Sequence, residues 1–538
     1  MKKRETSFLR SWALVVSLLI FIGSFTACSG NNGPTQTSGA ETSGSEASGA
    51  VATSAQAPSQ ELEVLKVGVS DLPGQMDPMR NVGNTGIRIH YNIFETLILA
   101  DQKDNYNLKP MLAESWKRID DYTLEFKLKK GIKFHNGAEL KASDVKFSFD
   151  RLKEKDLPDI ELAASLMSVI KEVQVVDDYT LRVISEAVDP ILEDRIASSW
   201  GGWILPEAYV KEAGNDGFAL KPVGTGPFKV VSYSPEKVVL ERFEDYWGEK
   251  PNVKRIEYIL YPENSTRLTA LINGEVDLIT QLPADQISVI EKDPNLEALS
   301  LNIANMHVLM YNTSSAPLSD KKLRQALNLG IDRQLLADTL WGGKAVVPRG
   351  HQYPEYADMY FADYPVMGYN VEKAKQLVAE SSYKGEELQY EVEPGYYTFN
   401  VEAGEAVVDM WKQIGVNAKV VFKDKQDRSQ ISTWSNSMRF PDPAGGLWLL
   451  WGPGTTPDKL TWPGLTPEFT AAGKELASII DTDRRKVLAR KLMEIWDDEA
   501  PGTLLYYPFE SWGIRKGLQW QPYSSQAMDF RAGNFKVK

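Results

Sequence analysis

Residues 113–152 read AESWKRIDDYTLEFKLKKGIKFHNGAELKASDVKFSFDRL. Three local signals follow one another in them. Thr123 to Leu128 alternates polar and apolar residues, the pattern of a half-buried strand. Gly131 and then Asn136-Gly137 supply turn chemistry, because glycine accepts positive φ and asparagine tolerates it. From Ser143 onward, Val145, Phe149 and Leu152 fall at helical spacing, with Ser143 placed to cap the helix and Asp144 suited to its first turn. The stretch therefore predicts a strand, a glycine turn and a helix in an α/β protein.

Similar units recur on both sides. Leu62, Val64, Leu65, Val67 and Val69 form an apolar first strand, followed by a loop from Asp71 to Asp77. Ile87 to Leu99 carries Ile89, Ile93, Phe94 and Leu97 at helical spacing, which predicts a helix there. Val173 to Ile184 reads as a hairpin turning at Asp177-Asp178. Gly224 and Gly226 suit a tight bend feeding a strand from Phe228 to Tyr233. A phosphate-binding loop is a poor reading of that bend, since Pro227 removes an amide donor and no helix follows. Arg267 to Leu278 reads as helix, turn and strand, and Val371–Glu380 and Gly404–Ile414 as amphipathic helices.

With 538 residues the chain is too long for one ordinary core and suffices for two or three packed units. Its 43% hydrophobic and 25% charged residues are ordinary for a soluble globular protein. A net charge of −13 argues against nucleic acid, whose phosphates call for a basic face. One cysteine excludes an intramolecular disulfide and a cysteine-cluster metal site. The four histidines, His90, His135, His307 and His351, show no i, i+4 pair, and His307 and His351 join no ligand cluster, so neither a metal nor another cofactor is expected. Walker A, GxGxxG and GxSxG patterns are absent.

Residues 1–27 read as a signal peptide. Lys2, Lys3, Arg4 and Arg10 make a basic start, and Ala13 to Phe25 is an apolar run too short for a comfortable membrane span. The run ends in Phe25-Thr26-Ala27-Cys28, which resembles a bacterial lipobox with Phe25 where leucine is usual. Cys28 is accordingly expected to carry lipid and to begin the mature chain, anchored at the membrane by acyl chains worth ~0.8 kcal/mol per buried methylene. Residues 28–61 are rich in Ser, Gly, Thr and Ala and read as a flexible tether, since they cannot bury enough apolar surface to offset their ordering entropy.

The order of residues, beyond their pattern, resembles the family 5 extracellular solute-binding proteins, the peptide- and nickel-type binding components of ABC importers. AESW, the Gly131 turn, KFHNG and DVKFSFDRL match that family's signature block. So do YNIFETL at Tyr91–Leu97, GTGPF at Gly224–Phe228, Tyr246-Trp247-Gly248, RLTALINGEVDL from Arg267, and the long segment from Val308 to Arg333. The matches run in the expected order from about residue 62 to residue 443. The resemblance implies an α/β, type II periplasmic-binding-protein fold in its large form, with two hinged lobes and an extra domain inserted in the first. It implies lobe I at residues 62–93, 205–300 and 506–538, the inserted domain II at 94–204 and lobe II at 301–505.

Ligand contact is expected around residues 434–462, which hold Trp434, Trp448, Trp451 and Trp462 among many Gly and Pro. Rigid aromatics on irregular backbone make a good ligand wall. The family carries a W-x-A-D-Y-x-D/E-P-like motif in this region, whose first Asp in peptide binders pairs with the peptide ammonium. Here Asn436 stands for the Trp and Arg439 for that Asp, while Pro441-Asp442-Pro443 is retained. An Arg offers a planar donor fork for carboxylate or phosphate and repels an ammonium. Arg439, Asp442, Trp448, Trp451, Trp434, Tyr397, Trp341 and Asn312 are the expected ligand-binding residues, with Tyr396 beside them. The alternative for Arg439 is an ion pair with Asp442 or another acid.

The expectation is a non-enzymatic, monomeric solute-binding lipoprotein. It sits outside the cytoplasm, periplasmic or on the outer face of the plasma membrane. It captures a peptide-like solute and passes it to an ABC permease and its ATPase. A modified peptide, opine-like conjugate, oligosaccharide or nickel complex is the alternative ligand. A secreted hydrolase using paired carboxylates, or a sensing lipoprotein without a transporter, are the alternative functions.

Overall fold

The computed structural model describes residues 61–538. The signal peptide, Cys28 and the tether expected at residues 1–60 lie outside the described residues.

Two main sheets organise the chain. The first has seven strands in the order Leu296–Asn302, Phe509–Arg515, Leu278–Ile279, Leu62–Val69, Val253–Leu260, Lys237–Arg242 and Phe228–Ser234. The apolar strand Leu62–Val69 runs parallel to both its neighbours, as a strand buried near the middle of an α/β layer does. The second sheet has five strands in the order Ala418–Phe422, Leu388–Val392, Ile431–Ser437, Asn305–Tyr311 and Gly502–Tyr506. The chain passes between the two sheets twice, through Ile303-Ala304 and through Tyr507-Pro508. These crossings lie side by side, since Ile303 N–H donates to the Pro508 carbonyl at 3.1 Å. Two adjacent short crossings are a hinge: few dihedrals need change for the lobes to rotate.

Residues 113–152 build a third, antiparallel sheet. Ala113–Asp120, Thr123–Leu128, Thr180–Ser185 and Ile170–Asp177 lie in that order, with the helix Ala142–Arg151 against the last. Gly131 and Gly137 take φ of 77° and 88°, as the turn chemistry requires. The cap differs from expectation. Lys141 is the N-cap, and Ser143 lies one residue inside the helix. Asp144 reaches back instead, accepting Lys141 N–H at 2.9 Å and Glu207 N–H at 2.9 Å. At the far end of this helix Arg151 donates to Asp77 at 2.5 Å with both side chains fully buried, tying the insert to the loop after the first strand.

The helix expected over residues 87–99 is also corrected. It spans Asn84–His90 and stops, and Ile98–Asp101 is a strand. Ile93, Phe94 and Leu97 are fully buried, so their helical spacing reflects core packing without helix. Competing hydrogen bonds unwind the segment. Asn92 donates to the Met528 carbonyl at 2.6 Å and accepts from Phe530 N–H, and its own carbonyl accepts Phe228 N–H. The two glycines of GTGPF fit here. A Cβ on Gly224 would stand 2.1 Å from the Ile93 carbonyl oxygen, and one on Gly226 2.6 Å from that of Asn92. They are glycine because the backbones touch, and neither has positive φ.

Candidate ligand-binding cleft

A cavity with about 840 Å³ of empty space opens between the lobes. Its lobe II wall is Ile303–Asn305 and Ser437–Pro441, its other wall segments around Tyr91–Gln102, Asp194–Trp203 and Ser524–Arg531. The lobe II rim is set by the strand Ile431–Ser437, which pairs with Asn305–Tyr311 and gives way to irregular backbone after Ser437. Met438 N–H still donates to the Ala304 carbonyl at 2.9 Å, which aims the next residue, Arg439, into the gap.

Arg439 makes no ion pair and no side-chain hydrogen bond among the described residues, and its Nε is buried without an acceptor. Its guanidinium lies 4.1 Å from the centre of the Trp200 ring, a cation–π contact across the cleft. Burial draws its pKa down to about 10, which leaves it a cation at neutral pH.

The opposite wall carries three more acid or arginine side chains. Glu95 is buried and satisfied: it accepts from Thr225 Oγ1, Tyr246 OH and Trp247 Nε1, each at 2.8 Å, and faces Arg531 at 3.5 Å. Arg531 also pairs with Asp529 at 3.2 Å and lies 5.0 Å from the Tyr91 ring centre. Asp194, on the helix Leu192–Ala197, has no hydrogen-bond or ion-pair partner among the described residues. Burial, and then the charges of Asp442 and Glu193, push its carboxyl up to about 8. Aromatic surface fills the wall between these groups, from Tyr91, Phe94, Trp200 and Trp203.

Of the eight side chains expected at the ligand, Arg439 alone lines this cavity. Asp442 is 5% exposed and is held by Arg485 at 2.6 Å. The pairing weighed for Arg439 thus goes to a different arginine. Trp451 is fully buried, edge-on to Trp496 at 5.2 Å and 5.5 Å from Trp434, and its indole N–H donates to Asn436 Oδ1 at 3.1 Å. Trp448 packs on Phe469 and over Gly473, where a Cβ would meet its ring at 1.9 Å. Trp341 belongs to the second lobe's core, among Phe399, Tyr506 and Phe509. Tyr397 stacks on His307 at 3.6 Å, and Tyr396 packs against it. Asn312 donates to the Arg428 carbonyl and accepts Ser314 N–H, closing a loop. For Trp434, Trp448 and Trp451 the physical reason is shared: large apolar faces find more cover in the cluster that includes the helix Thr482–Glu499 than on a wet wall.

Sequence reading missed the wall that faces Arg439. Its signal was Trp200-Gly-Gly-Trp203, two aromatics about a glycine pair. Gly202 permits that bend, for a Cβ there would lie 2.3 Å from the Ile196 carbonyl oxygen. No three His, Cys, Asp or Glu side chains converge as a metal site among the described residues.

Two lobes joined by paired crossings and closing on a cavity define a bilobal solute-binding protein. The chain belongs to the bacterial extracellular solute-binding proteins, family 5, whose middle-region model matches residues 107–458. It is 27% identical to heme-binding protein A of Haemophilus influenzae over 74% of this chain and 79% of that one. It is 25% identical to oligopeptide-binding protein AppA of Bacillus subtilis over 97% of each. Among solved structures it is similar to DppA of Helicobacter pylori in complex with the peptide STSA (TM-score 0.77, 22% identity, 89% of this chain and 98% of that). It is also similar to AgaA of A. tumefaciens R10 in complex with agropinic acid (TM-score 0.74, 22% identity, 88% and 99%). The fold is the two-lobed α/β fold of these periplasmic binding proteins.

Proposed function

We propose that the protein captures a small, peptide-like solute outside the cytoplasm and delivers it to an ABC importer, without changing it chemically. The observation that carries this reading is the guanidinium of Arg439, which among the described residues has no ion pair or side-chain hydrogen bond, in a cavity between two hinged lobes. A fork of donors with no acceptor of its own is suited to a carboxylate that arrives with the solute. Peptide- and opine-type relatives support solutes of this size and polarity. Glu95, locked by three donors and an arginine, is not free for acid–base work, which favours binding over hydrolysis. Asp194, Trp200, Trp203 and Arg439 are the residues we place at the solute, in place of the tryptophans of residues 434–462.

Calorimetry tests the reading. Ala-Phe should bind wild type, and Arg439→Ala should weaken it at least tenfold, about 1.4 kcal/mol. Unchanged affinity removes Arg439 from the site. The reading includes a lipid anchor on Cys28 and a permease with its ATPase as partners. Cys28→Ser should move the protein from the membrane to the soluble fraction, and a variant that stays membrane-bound sinks the anchor.

A further inference from the structure

The cavity lining holds four ionisable acid and arginine side chains, Glu95, Asp194, Arg439 and Arg531. Glu95 and Arg531 satisfy each other and their neighbours. Asp194 and Arg439 do not: one carboxyl and one cation line the same cavity, and among the described residues neither has an ion pair or a side-chain hydrogen bond, with the other or with any third group. Unpaired polar groups in such a space are costly unless something else meets them. They stand on opposite lobes. Arg439 leaves the second lobe's rim, and Asp194 lies on the helix Leu192–Ala197 of the inserted segment. That helix is fixed against the rim, because Arg195, the residue after Asp194, lies 5.0 Å from the centre of the Phe440 ring.

From this we infer that Asp194 and Arg439 are the two poles of one site, selecting a small zwitterion with its anionic end on lobe II and its cationic end on the inserted domain. The inference rests on the solute-capture reading above and adds the second charge. It reverses the polarity that the family resemblance implies for peptide binders, where an acid on the lobe II rim takes the ammonium. The bases near Asp194 are already committed, Arg195 to Asp189 at 2.6 Å and Arg485 to Asp442 at 2.6 Å. The groups facing it are Asp442, Glu193, Asp189 and Arg485, three acids to one base. With burial they hold its carboxyl at about 8, so the empty site keeps a proton on Asp194 at pH 7. An arriving ammonium takes that proton's place, and the proton leaves to solvent.

The experiment uses Ala-Phe, its N-acetyl derivative, which lacks the cation, and its C-terminal amide, which lacks the anion. Each is titrated by calorimetry into wild type, Asp194→Asn and Arg439→Gln at pH 7. Wild type should bind Ala-Phe at least tenfold more tightly than either derivative. Asp194→Asn should bind Ala-Phe and its N-acetyl derivative within about twofold of each other, and Arg439→Gln should lose only the discrimination against the amide. Titrations in buffers of different ionisation enthalpy should show close to one proton released per Ala-Phe in wild type and none in Asp194→Asn. A purely structural Asp194 moves neither the acetyl discrimination nor the proton count. Equal binding of the N-acetyl derivative by wild type, or proton release that survives Asp194→Asn, overturns the inference while leaving solute capture intact. Wild type that binds none of the three probes overturns both.

Discussion

The proposed site is read from one residue. The resemblance read from the sequence implies Arg439 in the place of a motif acid and Asn436 in that of a motif tryptophan. Asn436 is fully buried, and its side-chain oxygen meets Trp451 Nε1 at 3.1 Å and His351 Nε2 at 3.2 Å. The substitution thus joins a polar network behind the rim, while Arg439 remains in front of it. Histidines show the other side of burial at this scale. Desolvation lowers His90 and His307 to about 3 and His135 and His351 to about 4. Their ordinary value is ~6.5. Between those values the unfolded chain binds protons that the folded chain refuses. This contribution to stability is therefore complete above about pH 6.5 and is lost as pH falls toward 4. Proton NMR of the imidazole carbons should show none of the four histidines titrating between pH 5 and 8. A single ordinary titration near 6.5 contradicts the burial described for that residue.

At the scale of elements, the signature segments are contacts with one another. GTGPF is pressed on the unwound turn of YNIFETL, and Thr225 of the first bonds Glu95 of the second. Trp247 of the YWG segment donates to the same carboxylate. The three segments meet at one junction behind the cavity wall. Gly224→Ala should cost about 1–3 kcal/mol of unfolding free energy, since backbone at 2.1 Å cannot yield as a side chain does. Gly137→Ala, at positive φ with no atom within 4 Å, should cost only about 1 kcal/mol. Urea unfolding of the two variants orders them, and the reverse order is incompatible with the close approach. The same junction explains the misread helix. Apolar spacing reports what is buried, and here N–H donors of Phe228, Gly226 and Ile204 claimed the carbonyls of Asn92, Ile93 and Glu95 that a longer helix would have used.

For the whole molecule, the paired crossings at Ile303-Ala304 and Tyr507-Pro508 predict a rotation. Adding Ala-Phe should lower the radius of gyration measured by small-angle scattering, and Arg439→Gln should weaken that response. A radius unchanged at saturating Ala-Phe removes closure from the mechanism. Strand alternation, turn glycines and the ordered run of family segments sufficed to specify the strands, the signature block and the two-lobed class, because each depends on neighbours close in sequence or on a collinear pattern. Which side chains face the cavity was not legible. Trp448, Trp451 and Asp442 carry the residue types of a binding wall, yet packing against Phe469, Trp496 and Arg485 spends them inside. Asp194 and Trp200 meet Arg439's cavity only because two chain segments some 240 residues apart are brought face to face. Local chemistry sets what a residue is able to do. The burial and pairing that decide whether it is free to do so are long-range, and they exist only once the lobes have assembled.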